Sequence, residues 1–254
     1  MKLTRSIVAI KISIDSYCVI LKSIVNLSVS RKTSYVCVAN VHMSIEGSRD
    51  KGYAEIVNQA DIVTPDGMPL VWALRLLYGI KQERVAGMDL LPSLLEKAEQ
   101  MQLGVYFYGG TPELQTSTED FVSRQYPNIK NKHFESPPFR PLTEHEEMEC
   151  INRINASGAH LVFVALGCPK QEKWMANMKG KINACMVGIG GALPVLVGIQ
   201  KRAPVWMQRC SLEWLFRLAQ EPRRLFKRYL YTNSLFVLLL LKQFFAVKLF
   251  RSLK

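Results

Sequence analysis

Short apolar runs alternate with stretches of helical spacing along the chain, and this alternation predicts strands joined by helices. An apolar run at 6–12 comes first. Helical spacing follows at 16–27, a strand at 35–39, a helix near 44–58, a strand ending in Ile62-Val63-Thr64, and a helix over 68–77. The rhythm continues with a helix at 90–102, a strand at 104–108 and a helix at 113–126. A polar segment holding Pro137, Pro138 and Pro141 then leads into a helix at 144–157 and the apolar strand 161–166. Strands separated by helices of about ten to fifteen residues call for a mostly parallel sheet with both faces covered. No internal repeat or low-complexity tract interrupts the pattern.

Composition adds a boundary. The chain has 254 residues, 48% hydrophobic and 21% charged, enough for a sizeable core. Residues 198–254 carry 12 Lys and Arg against Glu213 and Glu221, so this tail holds nearly all of the formal net charge of +12. The reading is a catalytic domain at 1–197 and a basic, amphipathic, membrane-docking appendage at 198–254. Such charge asymmetry points to an anionic partner. The most apolar run, 235–241, is ended by Lys242 short of the roughly 20 residues of a spanning helix; an in-plane anchor fits better. That run also argues against nucleic acid, because it would be left exposed in water. The six cysteines form no C-x-x-C pair and no zinc spacing, and read as core thiols in a reduced compartment. Lys11 and Asp15 interrupt the first apolar run, so no secretory signal is expected.

Chemistry concentrates in turns after strands. Thr64-Pro65-Asp66-Gly67 follows a strand and precedes a helix, which sets the Asp66 carboxylate at the carboxyl edge of the sheet, where open α/β folds bind ligands. The alternative role for Asp66 is a cap on the next helix. Gly109-Gly110-Thr111 lies between a strand and a helix, so its amides could meet an anion. Gly167-Cys168-Pro169-Lys170-Gln171 makes a rigid corner that brings Lys170 and Gln171 to the same edge. Gly188-Ile189-Gly190-Gly191 is only a fragment of a dinucleotide fingerprint and is not read as one. P-loop, nucleophile-elbow and zincin motifs are all missing, and no D-x-D pair is present to hold a metal on a sugar nucleotide. His42, near a strand end, either lines the cleft or is structural.

Asn40-Val41-His42-Met43, Thr64-Pro65-Asp66-Gly67-Met68-Pro69, Arg84-Val85-Ala86-Gly87-Met88-Asp89, Gly167 to Trp174 and Lys201-Arg202-Ala203-Pro204 occur in that order, followed by Glu213-Trp214-Leu215-Phe216-Arg217 and Glu221-Pro222-Arg223-Arg224-Leu225. Together they resemble the WecG/TagA/CpsF family of bacterial glycosyltransferases. The resemblance implies a Rossmann-like α/β fold with helices on both faces of the sheet and a helical C-terminal appendage. It also implies inverting transfer of a hexose derivative, N-acetylmannosamine-type or related, from a UDP-sugar to a sugar on undecaprenyl diphosphate, without metal or other cofactor. The enzyme would work at the cytoplasmic face of the bacterial membrane as a peripheral protein in surface polysaccharide synthesis. On this likeness Asp66 is the general base, and Asn40, Arg84 and Gln171 bind substrate; Gly109 joins the substrate-binding set from the turn reading above. An exposed ion pair with a neighbouring Glu is the competing role for Arg84.

Arg217, Arg224 and Lys227, spaced by seven and three on roughly one helical face, are expected to hold the acceptor diphosphate. Two positions depart from the family pattern. Val38 stands where many members have Thr, and Leu193-Pro194 where many have Phe-Asp; both bear on the sugar accepted. A non-catalytic glycolipid-binding module of the same fold is the alternative function, and a homo-oligomer stays open.

Overall fold

The computed structural model describes residues 3–252; the side chains of Arg224 and of residues 249–252 lie outside that description. An antiparallel hairpin, β1 (Thr4–Ile7) and β2 (Ile10–Ser13), comes first. The chain continues through α1 (Tyr17–Val29), β3 (Ser34–Ala39), α2 (Val41–Arg49), α3 (Lys51–Asn58), β4 (Ile62–Pro65), α4 (Met68–Tyr78), α5 (Gly87–Gln100), β5 (Val105–Gly109) and α6 (Pro112–Gln125). Then come β6 (Lys132–Glu135), α7 (Glu144–Ala156), β7 (Leu161–Ala165), α8 (Lys170–Met178), β8 (Cys185–Gly188), α9 (Leu193–Leu196), α10 (Val205–Arg209), α11 (Glu213–Gln220) and α12 (Pro222–Ser252).

Six strands pair in parallel in the order β4-β3-β8-β7-β5-β6. Strands covered on both sides have no polar face, and all six residues of β3 are buried. Side chains alternate between two cores: Tyr35, Cys37, Val162 and Val164 point to one, Val36, Val38, Leu161 and Phe163 to the other. This is the Rossmann-like α/β arrangement expected from the alternation of strand and helix. Local signals agree with it. Asn40, Thr111 and Thr143 cap α2, α6 and α7 with side-chain oxygens, and Thr143 with Glu146 completes a capping box.

Several elements differ from expectation. The 6–12 run is a hairpin, turned at Val8 with φ 57°. The 44–58 helix is two, because Asp50 leaves helical geometry and its Oδ1 accepts from Tyr53 N at 3.0 Å, capping α3. Neither β6 nor β8 was legible. β6 is a polar edge strand, and β8 is four residues whose final glycine looks like the start of a loop. Among the cysteines, Cys37, Cys150 and Cys185 are core thiols, but Cys18 and Cys210 are exposed.

Gly109 has φ +114°, and a Cβ there would lie 2.7 Å from the carbonyl carbon and oxygen of Ala165 on β7. That contact explains the glycine, since the backbone approach leaves no room for a side chain. Gly109→Ala is expected to destabilise the fold by about 2 kcal/mol or more, read as a lower denaturation midpoint with unchanged slope.

α12 does not stop at Lys242. Residues 225–248 form 24 helical residues that include an 18-residue stretch of mean hydropathy 1.5, long and apolar enough by length and composition to cross a membrane. One side of this helix is already occupied, however. Phe236 is 4% exposed within the core, and Gln243 accepts from Val8 N at 2.8 Å and donates to Ser6 O at 2.9 Å. The helix therefore lies along the body.

Candidate active site

A cleft of about 540 Å³ opens at the carboxyl ends of the strands. Asn40 follows β3, Asp66 follows β4, Leu166-Gly167-Cys168 follows β7 and Ile189 to Ala192 follows β8, and all of them border it. The tail closes the other side with Gln208, Glu213, Trp214, Arg217, Arg228 and Tyr229. Trp214 meets Tyr229 edge-on at 6.0 Å, which braces α11 against α12. Both departures from the family pattern, Val38 and Pro194, also border the cleft.

Asp66 is held from two directions. Its backbone N–H donates to Ala39 O at 2.8 Å, and its Oδ1 accepts from Gly87 N at 3.1 Å, at the first turn of α5. The cap role fails: Gly67 caps α4, with no side-chain bond. Burial in the cleft raises the Asp66 pKa to about 6, and the Glu213 carboxylate adds to this. Arg84, the Gly87 amide and Arg217 oppose the shift. A carboxylate of this affinity is charged at neutral pH yet basic enough to accept a proton.

Arg84 does have the acidic partner that the competing reading gave it, although the pair is not exposed. Its guanidinium donates to Glu213 Oε2 at 2.7 Å, to Asp89 Oδ2 at 3.2 Å and to Gln208 Oε1 at 3.0 Å, while still bordering the cleft. Arg202 also donates to Asp89 and Gln208, so two arginines stitch the tail to α5. Gln171, 5% exposed in the first turn of α8, donates from Nε2 to Glu172 Oε1 at 2.7 Å. Its Oε1 is buried without a hydrogen-bond partner among the described residues, an acceptor beside the cleft. Tyr53 Oη donates to Glu172 Oε2 at 3.1 Å and lies 3.2 Å from Cys168 Sγ. This fully buried carboxyl group was not anticipated, and burial raises its pKa.

Asn40 uses Oδ1 to cap α2, accepting from Met43 N at 3.2 Å, and borders the cleft. His42 borders it too; burial and then the Arg228 guanidinium lower its pKa, which favours neutral imidazole. Gly109 is absent from the cleft lining and serves the strand contact instead. Arg217 lines the cleft so closely that a Cβ on Gly191 would come 2.5 Å from its Nη2. Lys227 is exposed and outside the lining, and Arg228 takes the position facing the cleft. The seven-and-three spacing assumed one helix, whereas Glu221, at φ −133° and ψ 61°, separates α11 from α12. The Arg224 side chain falls outside the described residues.

The family model described as Glycosyl transferase WecG/TagA/CpsF family matches residues 5–249. The chain is 34% identical over 194 residues to an N-acetylglucosaminyldiphosphoundecaprenol N-acetyl-beta-D-mannosaminyltransferase of Bacillus spizizenii, covering 76% of this chain and 74% of that protein. It is 31% identical over 190 residues to a protein of the same name from Bacillus subtilis, covering 74% of this chain and 72% of that one. With a family match spanning nearly the whole length, this chain belongs to the WecG/TagA/CpsF family of glycosyltransferases.

Proposed function

We propose that this enzyme moves an N-acetylmannosamine-type hexose from a UDP-sugar to N-acetylglucosamine carried on undecaprenyl diphosphate, with inversion at the anomeric carbon. The observation that carries the reading is Asp66: a cleft carboxylate at the sheet edge, held by the Gly87 amide, with its pKa raised to about 6. The names of the two Bacillus relatives suggest the sugar, its β linkage and the acceptor. Because the usual UDP-hexoses of this type are α-linked, a β product fits one direct displacement.

In that displacement the acceptor hydroxyl attacks the anomeric carbon, Asp66 takes its proton, and UDP leaves from the opposite side. Asn40 and the buried Oε1 of Gln171 fix the donor sugar. Arg84, already oriented by Glu213 and Asp89, supplies positive field at the reacting centre. Arg217 faces the acceptor diphosphate. Catalysis belongs to residues 1–197, and residues 198–254 close the cleft and dock on the cytoplasmic face of the membrane.

A panel of UDP-sugars with the lipid-linked acceptor tests the donor. UDP-N-acetylmannosamine should give the highest kcat/KM. Faster transfer of glucose or glucuronate would mean that Val38 and Pro194 have changed the sugar. Proton transfer makes a second prediction. Protonating Asp66 removes the base, so kcat/KM should fall as pH drops through about 6. Glu213→Gln removes a neighbouring negative charge and should move that acid limb to lower pH, with burial still holding it above the ordinary carboxylate range. An unmoved limb would mean that a group other than Asp66 titrates.

A further inference from the structure

The outer sides of α4 and α12 make one apolar surface. Thr232 and Asn233 of α12 border the cleft with Met68 and Pro69 at the start of α4. About eleven residues later, Gln243 Nε2 lies 3.3 Å from Tyr78 Oη at the end of α4. At about 1.5 Å per residue both intervals span about 15 Å, so the two helices run side by side in the same direction. Their inner sides share one core, through Leu70 and Leu74 of α4 and Phe236 of α12 with Leu239 packed against it. The outer sides therefore face the same way.

On that outer side Trp72 and Leu76, one helical turn apart, are each 50% exposed. At matching height along α12, Val237, Leu238 and Leu241 are 55%, 63% and 47% exposed. A contiguous apolar face of this kind on a folded chain marks an interaction surface. Its charges select the partner. Arg75, Lys81, Lys242 and Lys248 are exposed on or beside the two helices, and neither helix contains an Asp or Glu. Two copies meeting on this face would bring cations together, whereas an anionic lipid surface complements both the apolar side chains and the cations.

We propose that Trp72 and Leu76 of α4 dock on an anionic bilayer together with α12. Docking through two helices, and not the tail alone, fixes the tilt of the body. Because α4 starts at the cleft, directly after Asp66, it also sets the cleft mouth at the lipid surface. The inference rests on the membrane reading above and extends it from the tail to the catalytic body.

Full-length Trp72→Glu/Leu76→Glu and full-length Leu238→Glu/Leu241→Glu test it by sedimentation with phosphatidylcholine vesicles, with and without phosphatidylglycerol. Both variants are expected to lose at least about tenfold in affinity for the anionic vesicles. Turnover of a water-soluble, short-chain acceptor should stay at the wild-type rate. The milder Leu76→Gln should fall in between, which guards against a folding defect in the double variant. If only the α12 variant loses binding, the tail docks alone and the proposal is overturned while the membrane reading stands. Wild-type binding by both variants would overturn both. A change in sedimentation mass with vesicle binding intact would assign the face to contact between copies and likewise overturn the proposal.

Discussion

Asp66→Asn is expected to lower kcat by about 10²-fold or more while leaving the KM for the UDP-sugar within a factor of about two. Asn keeps the volume and can still accept from the Gly87 amide, so the turn between β4 and α4 should stay intact. What disappears is the proton acceptor, a group needed only as the acceptor oxygen becomes a nucleophile. The loss therefore belongs to the chemical step and should persist in single turnover. It should also erase the acid limb near pH 6, because nothing remains there to titrate. A variant that keeps near-normal single-turnover rates would transfer the role of base to another group.

The second large effect concerns Arg217. Removing its guanidinium with Arg217→Ala should cost about 1.5–3 kcal/mol of transition-state binding, or roughly 10- to 150-fold in kcat/KM, with the lipid diphosphate acceptor. A charge-assisted bond shielded from water is worth more than an exposed ion pair. The loss should shrink on a simple glycoside lacking phosphate, since the arginine then has no anion to hold. Arg217 also draws the Asp66 pKa down, so its removal should move the acid limb upward, opposite to Glu213→Gln. Equal proportional losses on both acceptors would make Arg217 a support of the cleft wall beside Gly191 and not a diphosphate ligand.

The elements that position Asp66 were legible because their signals are local. A β-branched strand end, Pro-Asp-Gly and a helical repeat are enough to place a carboxylate at a sheet edge. Its surroundings were not, because they come from distant segments. Glu213, which orients Arg84 and raises the Asp66 pKa, lies 129 residues from Arg84. The Tyr53-Glu172-Gln171 connection likewise joins α3 to α8, and an acidic residue in a polar helix start gives no sign of being fully buried. Lys227 shows the converse. Helical arithmetic holds only while the helix is unbroken, and the break falls at Glu221, directly before Pro222, a boundary signal that the seven-and-three spacing passed over. Gly109 carried a true backbone signal, and the close approach of a neighbouring strand accounts for it.

Direct displacement at a UDP-sugar, by an acceptor hydroxyl that Asp66 deprotonates, is the core of the proposed mechanism. Single turnover with UDP-N-acetylmannosamine and undecaprenyl-diphosphate-linked N-acetylglucosamine, followed by nuclear magnetic resonance of the product, tests it most directly. One UDP should be released for each disaccharide lipid formed, with a β-linkage in the product and no UDP release when the acceptor is withheld. An α-linked product, or UDP released at the same rate without acceptor, would contradict it.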